Sequence, residues 1–285
     1  MIRLLCTLLL CASALPAAGA RESDGALAKI HQTGLIRMGY LDTAPPFSFD
    51  QGGNRPAGYS VELCERVAAS IQSQLGLAQL RIEWVKLDLS NRLAAVRDGR
   101  VDIECGTTTW TLSRQESVDF SLMTFIDGGT VLVRSDAETW RLADLQGKRI
   151  AVVPGTTTER ALPAALKQRG VQADIRSVAS PEQGLALLSA GKLDGYASDR
   201  LVLLGLGLST KEAGSFRLLD EDFSVEPYAL ALPRNEHDLR LAVNRGLARL
   251  YRTREIDAVF ERWLGTLGRP SLLLSALYYL QGLPE

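Results

Sequence analysis

The 285-residue sequence predicts an α/β fold of two similar lobes, with mixed, mostly parallel sheets, joined by a two-stranded hinge. Short β-branched runs alternate with amphipathic helical patterns, as they do in α/β proteins with mainly parallel strands. One helix–glycine–strand pattern recurs in the second half of the chain, which indicates a duplicated unit. Two extended, β-rich segments, 121–133 and 225–233, stand where the chain would cross between the lobes.

The first lobe begins with alternating strands and helices. We expect strands at 35–40, 81–87 and 101–104, and helices at 58–75 and 90–96. Ser90 is the expected N-cap of the second helix because a serine hydroxyl accepts from a free N–H of the first turn, and Gly99 marks its end.

The second lobe repeats this plan, with strands expected at 148–153 and 192–197. Thr156 and Glu159 have the spacing of a capping box, which predicts a helix start. Ser180, followed by Pro181, predicts another.

The repeated pattern links 93–102 with 185–194 at a constant offset of 92 residues. Both segments read as a helix, a glycine, a basic residue and a strand that carries Asp. A structural duplication is the preferred interpretation, and a chance match of common α/β patterns is the alternative.

The predicted boundaries are 21–124 for the first part of lobe one, 125–128 and 225–228 for the hinge, 129–224 for lobe two, and 229–285 for the rest of lobe one. Residues 239–267 are amphipathic and should return to lobe one as helix. The apolar segment 271–280 is expected to be a terminal helix docked on a lobe, or alternatively an exposed patch that contacts a partner.

The first 20 residues resemble a secretory signal peptide. Arg3 precedes a short apolar run, and Ala18-Gly19-Ala20 forms a small-x-small cleavage site, so we expect cleavage after Ala20 and a periplasmic mature protein. An uncleaved anchor is the alternative, although the apolar run is too short to span a bilayer comfortably.

Charge and cysteine content narrow the function. Without Arg3 the mature chain has 31 basic and 33 acidic residues and lacks a basic block, which argues against nucleic acid as a partner. Cys64 and Cys105 remain after cleavage and are either joined in a disulfide or buried as thiols. The two histidines lie outside any cleft motif, so we expect no metal, cofactor or catalytic residue.

The segment 103–114 carries the strongest functional pattern. A strand runs into Gly106, then into three consecutive threonines, and Arg114 comes shortly after them. Glycine allows close backbone approach to a ligand, and hydroxyl and N–H groups bind oxyanions. Arginine binds a carboxylate through two parallel hydrogen bonds. The pattern therefore predicts a carboxylate-binding site.

Together with 39–49, 58–61, Asn91-Arg92, 155–159 and Asp199, this segment makes the chain resemble the periplasmic solute-binding proteins of polar-amino-acid ABC transporters (family 3), and within them the glutamate/aspartate-binding proteins. The resemblance covers about 24–267. It implies a type II-like periplasmic binding fold, a free amino acid as ligand and an inner-membrane ABC permease as partner.

The resemblance also assigns the expected ligand-binding residues. Arg114 would hold the ligand α-carboxylate, with Thr107 and Thr109 on the same head group. Thr156 and Thr157 would reach that carboxylate from the second lobe, and Asp199 would bind the α-amino group. Phe47 is expected to shape the pocket wall, or alternatively to belong to the core.

Side-chain specificity is less clearly encoded. In the acidic-amino-acid relatives two arginines hold the distal carboxylate; Arg92 matches one of them, whereas the other falls at Leu41 and a hydroxyl position falls at Leu89. We favour glutamate, aspartate or another polar amino acid. The alternative is a neutral or apolar ligand, with Arg92 paired internally to Asp88 or Asp42.

Two further functional classes are weaker. The resemblance extends to periplasmic dehydratases of cyclic carboxylic acids, for which Glu104 or Glu159 would be the candidate acid. A sensor ectodomain would require a membrane-bound partner. We predict a binding protein and not an enzyme.

Overall fold

The computed structural model describes residues 25–209 and 214–285; the predicted signal peptide and its cleavage site lie outside them. The strands of the described residues are β1 (Leu35–Leu41), β2 (Thr43–Ala44), β3 (Ser48–Asp50), β4 (Pro56–Ala57), β5 (Arg81–Leu87), β6 (Ile103–Glu104), β7 (Asp119–Arg134), β8 (Arg149–Val152), β9 (Asp174–Ser177), β10 (Gly195–Asp199), β11 (Phe216–Leu218) and β12 (Ser224–Leu232).

The α-helices of the same residues are α1 (Ala26–Thr33), α2 (Tyr59–Gln74), α3 (Arg92–Arg97), α4 (Thr158–Gln168), α5 (Pro181–Ser189), α6 (Arg200–Leu208), α7 (His237–Arg252), α8 (Glu255–Leu264) and α9 (Leu272–Gln281). Short 3-10 turns cover Arg114–Glu116, Leu142–Leu145 and Gly265–Leu267. None of these helices combines the length and apolar character needed to cross a membrane.

One mixed sheet runs through the molecule in the order β5-β1-β6-β12-β7-β10-β8-β9, with β11 on β7. Strands β5, β1 and β6 are parallel, as are β10, β8 and β9. We call these groups, with their helices, the first and second halves. The antiparallel pair β7/β12 joins them, which confirms the predicted two-lobed α/β class.

The pairing of β7 with β12 extends from Asp119 opposite Leu232 to Gly129 opposite Ser224. A larger residue would displace neighbouring side chains where these strands enter the second half: a Cβ at Gly128 would lie 2.4 Å from an Asp222 carboxylate oxygen, and one at Gly129 would lie 2.3 Å from Ser224 Oγ. The two extended segments of the sequence are therefore paired antiparallel strands. The predicted hinge boundaries within them stay a prediction.

The repeated sequence pattern corresponds to a repeated structural feature. Gly99 and Gly191 follow equivalent helices with left-handed φ values of +66° and +67°. Asp102 accepts the backbone N–H of Arg37 at 2.7 Å, and Asp194 accepts that of Arg149 at 2.8 Å; each aspartate also accepts from the guanidinium of the same arginine. The duplication thus includes an Asp–Arg clamp at the start of a strand in each half.

The start of α3 differs from the prediction. The helix begins at Arg92 with Asn91 at the N-cap position, and no side chain caps it. The Ser90 hydroxyl donates instead to Asp88, which also accepts from the Ser90 and Asn91 N–H groups. The prediction of Ser90 as the N-cap is wrong because this aspartate-centred turn occupies its hydroxyl.

A disulfide and a docked terminal helix stabilise the first half. A disulfide joins Cys64 on α2 to Cys105 after β6, which decides between the two alternatives for this pair. The C-terminal helix α9 docks on β7: the Tyr278 hydroxyl donates to Thr124 O, and the Gln281 amide donates to Met123 O. The expectation of a docked terminal helix is confirmed.

Candidate functional site

A cavity lies between the two halves, at the carboxyl ends of their parallel strands, where open α/β sheets bind ligands. Seven of the nine predicted ligand-binding residues line it: Arg92, Thr107, Thr109, Arg114, Thr156, Thr157 and Asp199. The first four belong to the first half and the last three to the second. The cavity is therefore walled from both sides.

Arg114 lies on the 3-10 turn after the threonine run and is only 7% exposed. Its Nη1 donates to Thr109 O at 2.9 Å, and its Nη2 reaches Gly155 O of the second half at 3.4 Å. It forms no ion pair with its sequence neighbours Glu116 and Asp119. Burial and the nearby Arg92 guanidinium lower the pKa of Arg114 to about 10, so it stays cationic at neutral pH.

Arg92, the first residue of α3, is 3% exposed and lines the same cavity. Its Nε donates to Thr108 Oγ1 at 3.0 Å, and its Nη1 donates to the carbonyl oxygen of Leu89. Burial lowers the pKa of Arg92, while Glu104 opposes this shift more than any other charge.

Neither predicted internal partner is bonded to Arg92. Asp88 holds the turn before α3, and Asp42 pairs with Lys86. The direct pair that accompanied the neutral-ligand alternative is therefore absent, because each aspartate is occupied by neighbours on its own side of the fold.

The second half presents the start of α4 to the cavity. The helix begins at Thr158, one turn after β8. Thr156 Oγ1 accepts the N–H of Glu159 at 3.2 Å, and the Glu159 carboxylate accepts the N–H of Gly155 at 2.9 Å. The predicted capping box is therefore only partly present, because the helix begins one residue later than expected: Thr157 holds the N-cap position, and Glu159 accepts from Gly155 N–H and not from Thr156 N–H. Thr157 faces the first half, where its hydroxyl lies 3.4 Å from that of Thr109.

A buried carboxylate that the sequence did not reveal connects the two walls. Glu226, on the crossing strand β12, is 1% exposed. Its Oε2 accepts from Thr109 Oγ1 and from Thr157 Oγ1, each at 2.7 Å, and its Oε1 accepts from Ser224 at 2.6 Å. Thr109 and Thr157, both predicted on ligand grounds, thus also meet at one oxygen behind the cavity.

Asp199 ends β10 and supplies the negative wall of the cavity. The Tyr228 hydroxyl on β12 donates to it at 2.5 Å and lies 3.3 Å from Asp127. Burial, with the nearby Glu226 and Asp127, raises the pKa of Asp199 well above its usual range. The neighbouring Arg200 pairs with Asp222, not with Asp199.

Two predicted residues lie behind the cavity. Phe47 is fully buried in an aromatic cluster with Tyr59, Phe125 and Tyr228, and Leu41 packs against Gly106 in the core. Neither lines the cavity, so the core alternative holds for Phe47. The apolar part of the cavity lining is formed by Ala44, Leu89, Pro181 and Val202.

A guanidinium on one wall and a carboxyl group on the other, surrounded by hydroxyls, suit a small zwitterion. Within 25–209 and 214–285 there is no group of three or more His, Cys, Asp and Glu residues that could hold a metal ion. Fold and cavity together define a two-lobed solute-binding protein.

Residues 36–266 match the family of bacterial extracellular solute-binding proteins, family 3, and the chain belongs to this family. Over 245 residues it is 29% identical to the L-glutamate/L-aspartate-binding protein of Pseudomonas aeruginosa, covering 86% of this chain and 81% of that protein. It is 28% identical over 244 residues to the L-cystine-binding protein of Escherichia coli, covering 85% and 87%.

Solved structures agree with this assignment. An ancestral arginine-binding protein bound to arginine superposes with a TM-score of 0.71 at 26% identity, covering 81% of this chain and 99% of that one. A histidine-bound substrate-binding protein from Streptococcus pneumoniae shares the fold, with a TM-score of 0.76 at 18% identity over 85% and 97% of the two chains.

The chain is an amino-acid-binding protein of an ABC transporter, from a family of extracellular and periplasmic binding proteins. Members of this family bind solutes and are not enzymes, so the dehydratase hypothesis is set aside.

Proposed function

We propose that this protein captures a polar L-α-amino acid in the periplasm and delivers it to an inner-membrane ABC permease. The observation that carries the proposal is the presence of Arg114 and Asp199 in one cavity, on walls from different halves. A guanidinium that binds an α-carboxylate and a carboxylate that binds an α-ammonium group would hold both ends of one zwitterion.

The predicted hinge, 125–128 and 225–228, gives a mechanism for capture. Open halves would admit the ligand, and closure would bring Asp199 to the amine of a ligand already held at Arg114. Closure is then coupled to ligand because each wall contacts a different ligand charge. The closed form would be the one that docks on the permease.

The identity of the side chain is narrowed by three observations. Relatives are named for glutamate and aspartate or for cystine, which favours polar ligands. Arg92 offers a donor beside the side-chain end of the cavity. Leu89 on the cavity wall and Leu41 behind it stand where the resemblance to acidic-amino-acid relatives would place polar residues, which favours neutral polar side chains alongside glutamate and aspartate.

A thermal-shift screen of the purified mature protein against the common L-amino acids tests the proposal. A ligand at one hundred times its dissociation constant stabilises the fold by about 2.7 kcal/mol. We expect shifts with polar amino acids. A screen in which no amino acid shifts the transition would contradict the proposed function.

Replacing Arg114 by Ala tests the site. The variant should lose at least ~2 kcal/mol, about thirtyfold, in affinity for the ligand found, because one partner of a buried charge pair is removed. Isothermal titration calorimetry measures this loss. Arg97→Ala, which removes an arginine side chain that is 57% exposed on α3, is the matched control and should bind as the wild type does. Equal affinities for the Arg114 variant and the wild type would refute the assignment.

A further inference from the structure

Glu104, at the end of β6, is a buried acid that the proposed binding mechanism does not use. It is fully buried, and neither carboxylate oxygen has a hydrogen-bond partner among the described residues. The side chain lies against the backbone: a Cβ at Gly106 would fall 2.2 Å from its Oε1. The Thr108 side chain, whose hydroxyl accepts from Arg92, lowers the pKa of Glu104 against the effect of burial.

Such a group needs an electrostatic reason to remain, because an unpaired buried carboxylate is costly. Burial raises the pKa of Glu104, and the strongest opposing influence is the Arg92 guanidinium. The relation is reciprocal, since Glu104 is also the charge that most supports protonated Arg92. Thr108, which accepts from Arg92 Nε, lies between them.

The buried acids around the cavity already outnumber its guanidiniums. Arg92 and Arg114 supply the guanidiniums, whereas Glu104, Asp199, Glu226 and the nearby Asp127 are all buried acids. A zwitterion adds no net charge. A ligand with a side-chain carboxylate would add a negative charge, and both guanidiniums already have buried acids near them.

The donor geometry of Arg92 points the same way. Its Nε and Nη1 are engaged by Thr108 and Leu89, and no hydrogen bond joins Nη2 to any residue of the described chain. With Nε and one N–H of Nη1 engaged, Arg92 offers a ligand less than the full guanidinium fork, whereas a carboxylate is held best by two parallel N–H donors.

We propose that Glu104 is a built-in counter-ion of Arg92 and that it sets specificity, so that the cavity selects amino acids with a neutral, hydrogen-bond-accepting side chain, such as a carboxamide, over dicarboxylic amino acids. This inference rests on the proposed function and deepens it. Glu104 acts through Arg92 and does not touch the ligand.

Titration calorimetry with L-glutamine and L-glutamate, which have nearly the same shape, tests the inference on wild type, Glu104→Gln and Asp98→Asn. The wild type should bind glutamine roughly tenfold or more tighter than glutamate. Glu104→Gln should raise glutamate affinity roughly tenfold and leave glutamine affinity nearly unchanged, because one buried negative charge is gone. Asp98→Asn removes an exposed carboxylate and should change neither affinity.

Wild-type preference for glutamate, or a Glu104→Gln variant with an unchanged glutamine-to-glutamate ratio, would overturn the inference. Circular dichroism verifies that the variant folds; if it does not, the wild-type preference alone decides. The inference would also be overturned if the wild type bound another neutral amino acid but neither glutamine nor glutamate. Failure of every amino acid to bind the wild type would instead refute the proposed function, and this inference with it.

Discussion

The two halves share a frame but differ in the charges at the ends of their strands. In each half an aspartate near the start of a strand accepts the backbone N–H and the guanidinium of one arginine, Asp102 with Arg37 and Asp194 with Arg149. Beyond the carboxyl ends of the strands the halves diverge: the first presents Arg92 on α3 and Arg114 on a 3-10 turn to the cavity, and the second presents Asp199 at the end of β10. The two halves thus share a scaffold, while the segments that follow their strands present different side chains to the cavity.

The largest expected effect concerns a feature of the first half that has no counterpart among the described residues of the second, the Cys64–Cys105 disulfide. The bond spans 41 residues of sequence, so reducing it should lower the free energy of unfolding by about 2–4 kcal/mol. Urea unfolding of the oxidised and reduced wild type measures this change without introducing a substitution.

Amide hydrogen exchange locates the same effect. Reduction should lower protection in β1 and α2 of the first half more than in β8 of the second. Equal loss of protection in both halves would show that they unfold as a single unit, and the structural difference would then have no local consequence.

The Asp–Arg clamps allow a matched comparison of the halves. Asp102→Asn and Asp194→Asn should each cost about 1 kcal/mol at neutral pH, since each weakens charge-assisted bonds at the edge of a strand, in a partly exposed setting. Urea titrations of both variants measure the costs. A clear difference between the two costs would show that the clamps share a geometry but not an equal contribution to stability.

Acid unfolding sharpens this comparison. Arg149, through its side-chain hydrogen bonds, lowers the pKa of Asp194 to about 2. Because this folded-state pKa lies below the unfolded value near ~4, the contribution of the aspartate is complete above about pH 4 and is lost as the pH falls toward 2. Stability measured through that window should therefore fall less steeply in Asp194→Asn than in the wild type.

The smallest expected effect contrasts two helix starts. Ser180 accepts the N–H of Gln183 at the start of α5, so Ser180→Ala should cost about 1 kcal/mol. Ser90→Ala, near the uncapped start of α3, should change stability by less than ~0.5 kcal/mol. Calorimetric transition temperatures measure both changes, and equal losses would contradict the observed capping pattern.

Local patterns explain why much of this fold was predictable. The strand 81–87 matches β5 as observed, and the Ser180-Pro181 start matches α5, because periodicity and capping depend on residues a few positions apart. The 92-residue offset was equally visible, since both copies keep a glycine with left-handed backbone and an aspartate three residues later.

Long-range contacts account for the features that the sequence did not reveal. Glu226 and Tyr228 lie on β12, yet their partners are Thr109, Thr157 and Asp199, which are brought there only by the folded sheet. No local pattern distinguishes Tyr228 from an ordinary strand residue. For Glu226 the available signal was a charged residue within an otherwise mostly apolar crossing strand.

The shared oxygen of Glu226 has a consequence for which substitutions evolution can tolerate around it. Thr109 and Thr157 reach it from opposite walls at equal distances, so a displacement of one wall leaves the atom with a single hydroxyl. Replacing either threonine would therefore disturb both walls of the cavity, not only the wall that carries it. Evolutionary change at 109 and 157 should therefore be correlated, with position 226 as the common constraint.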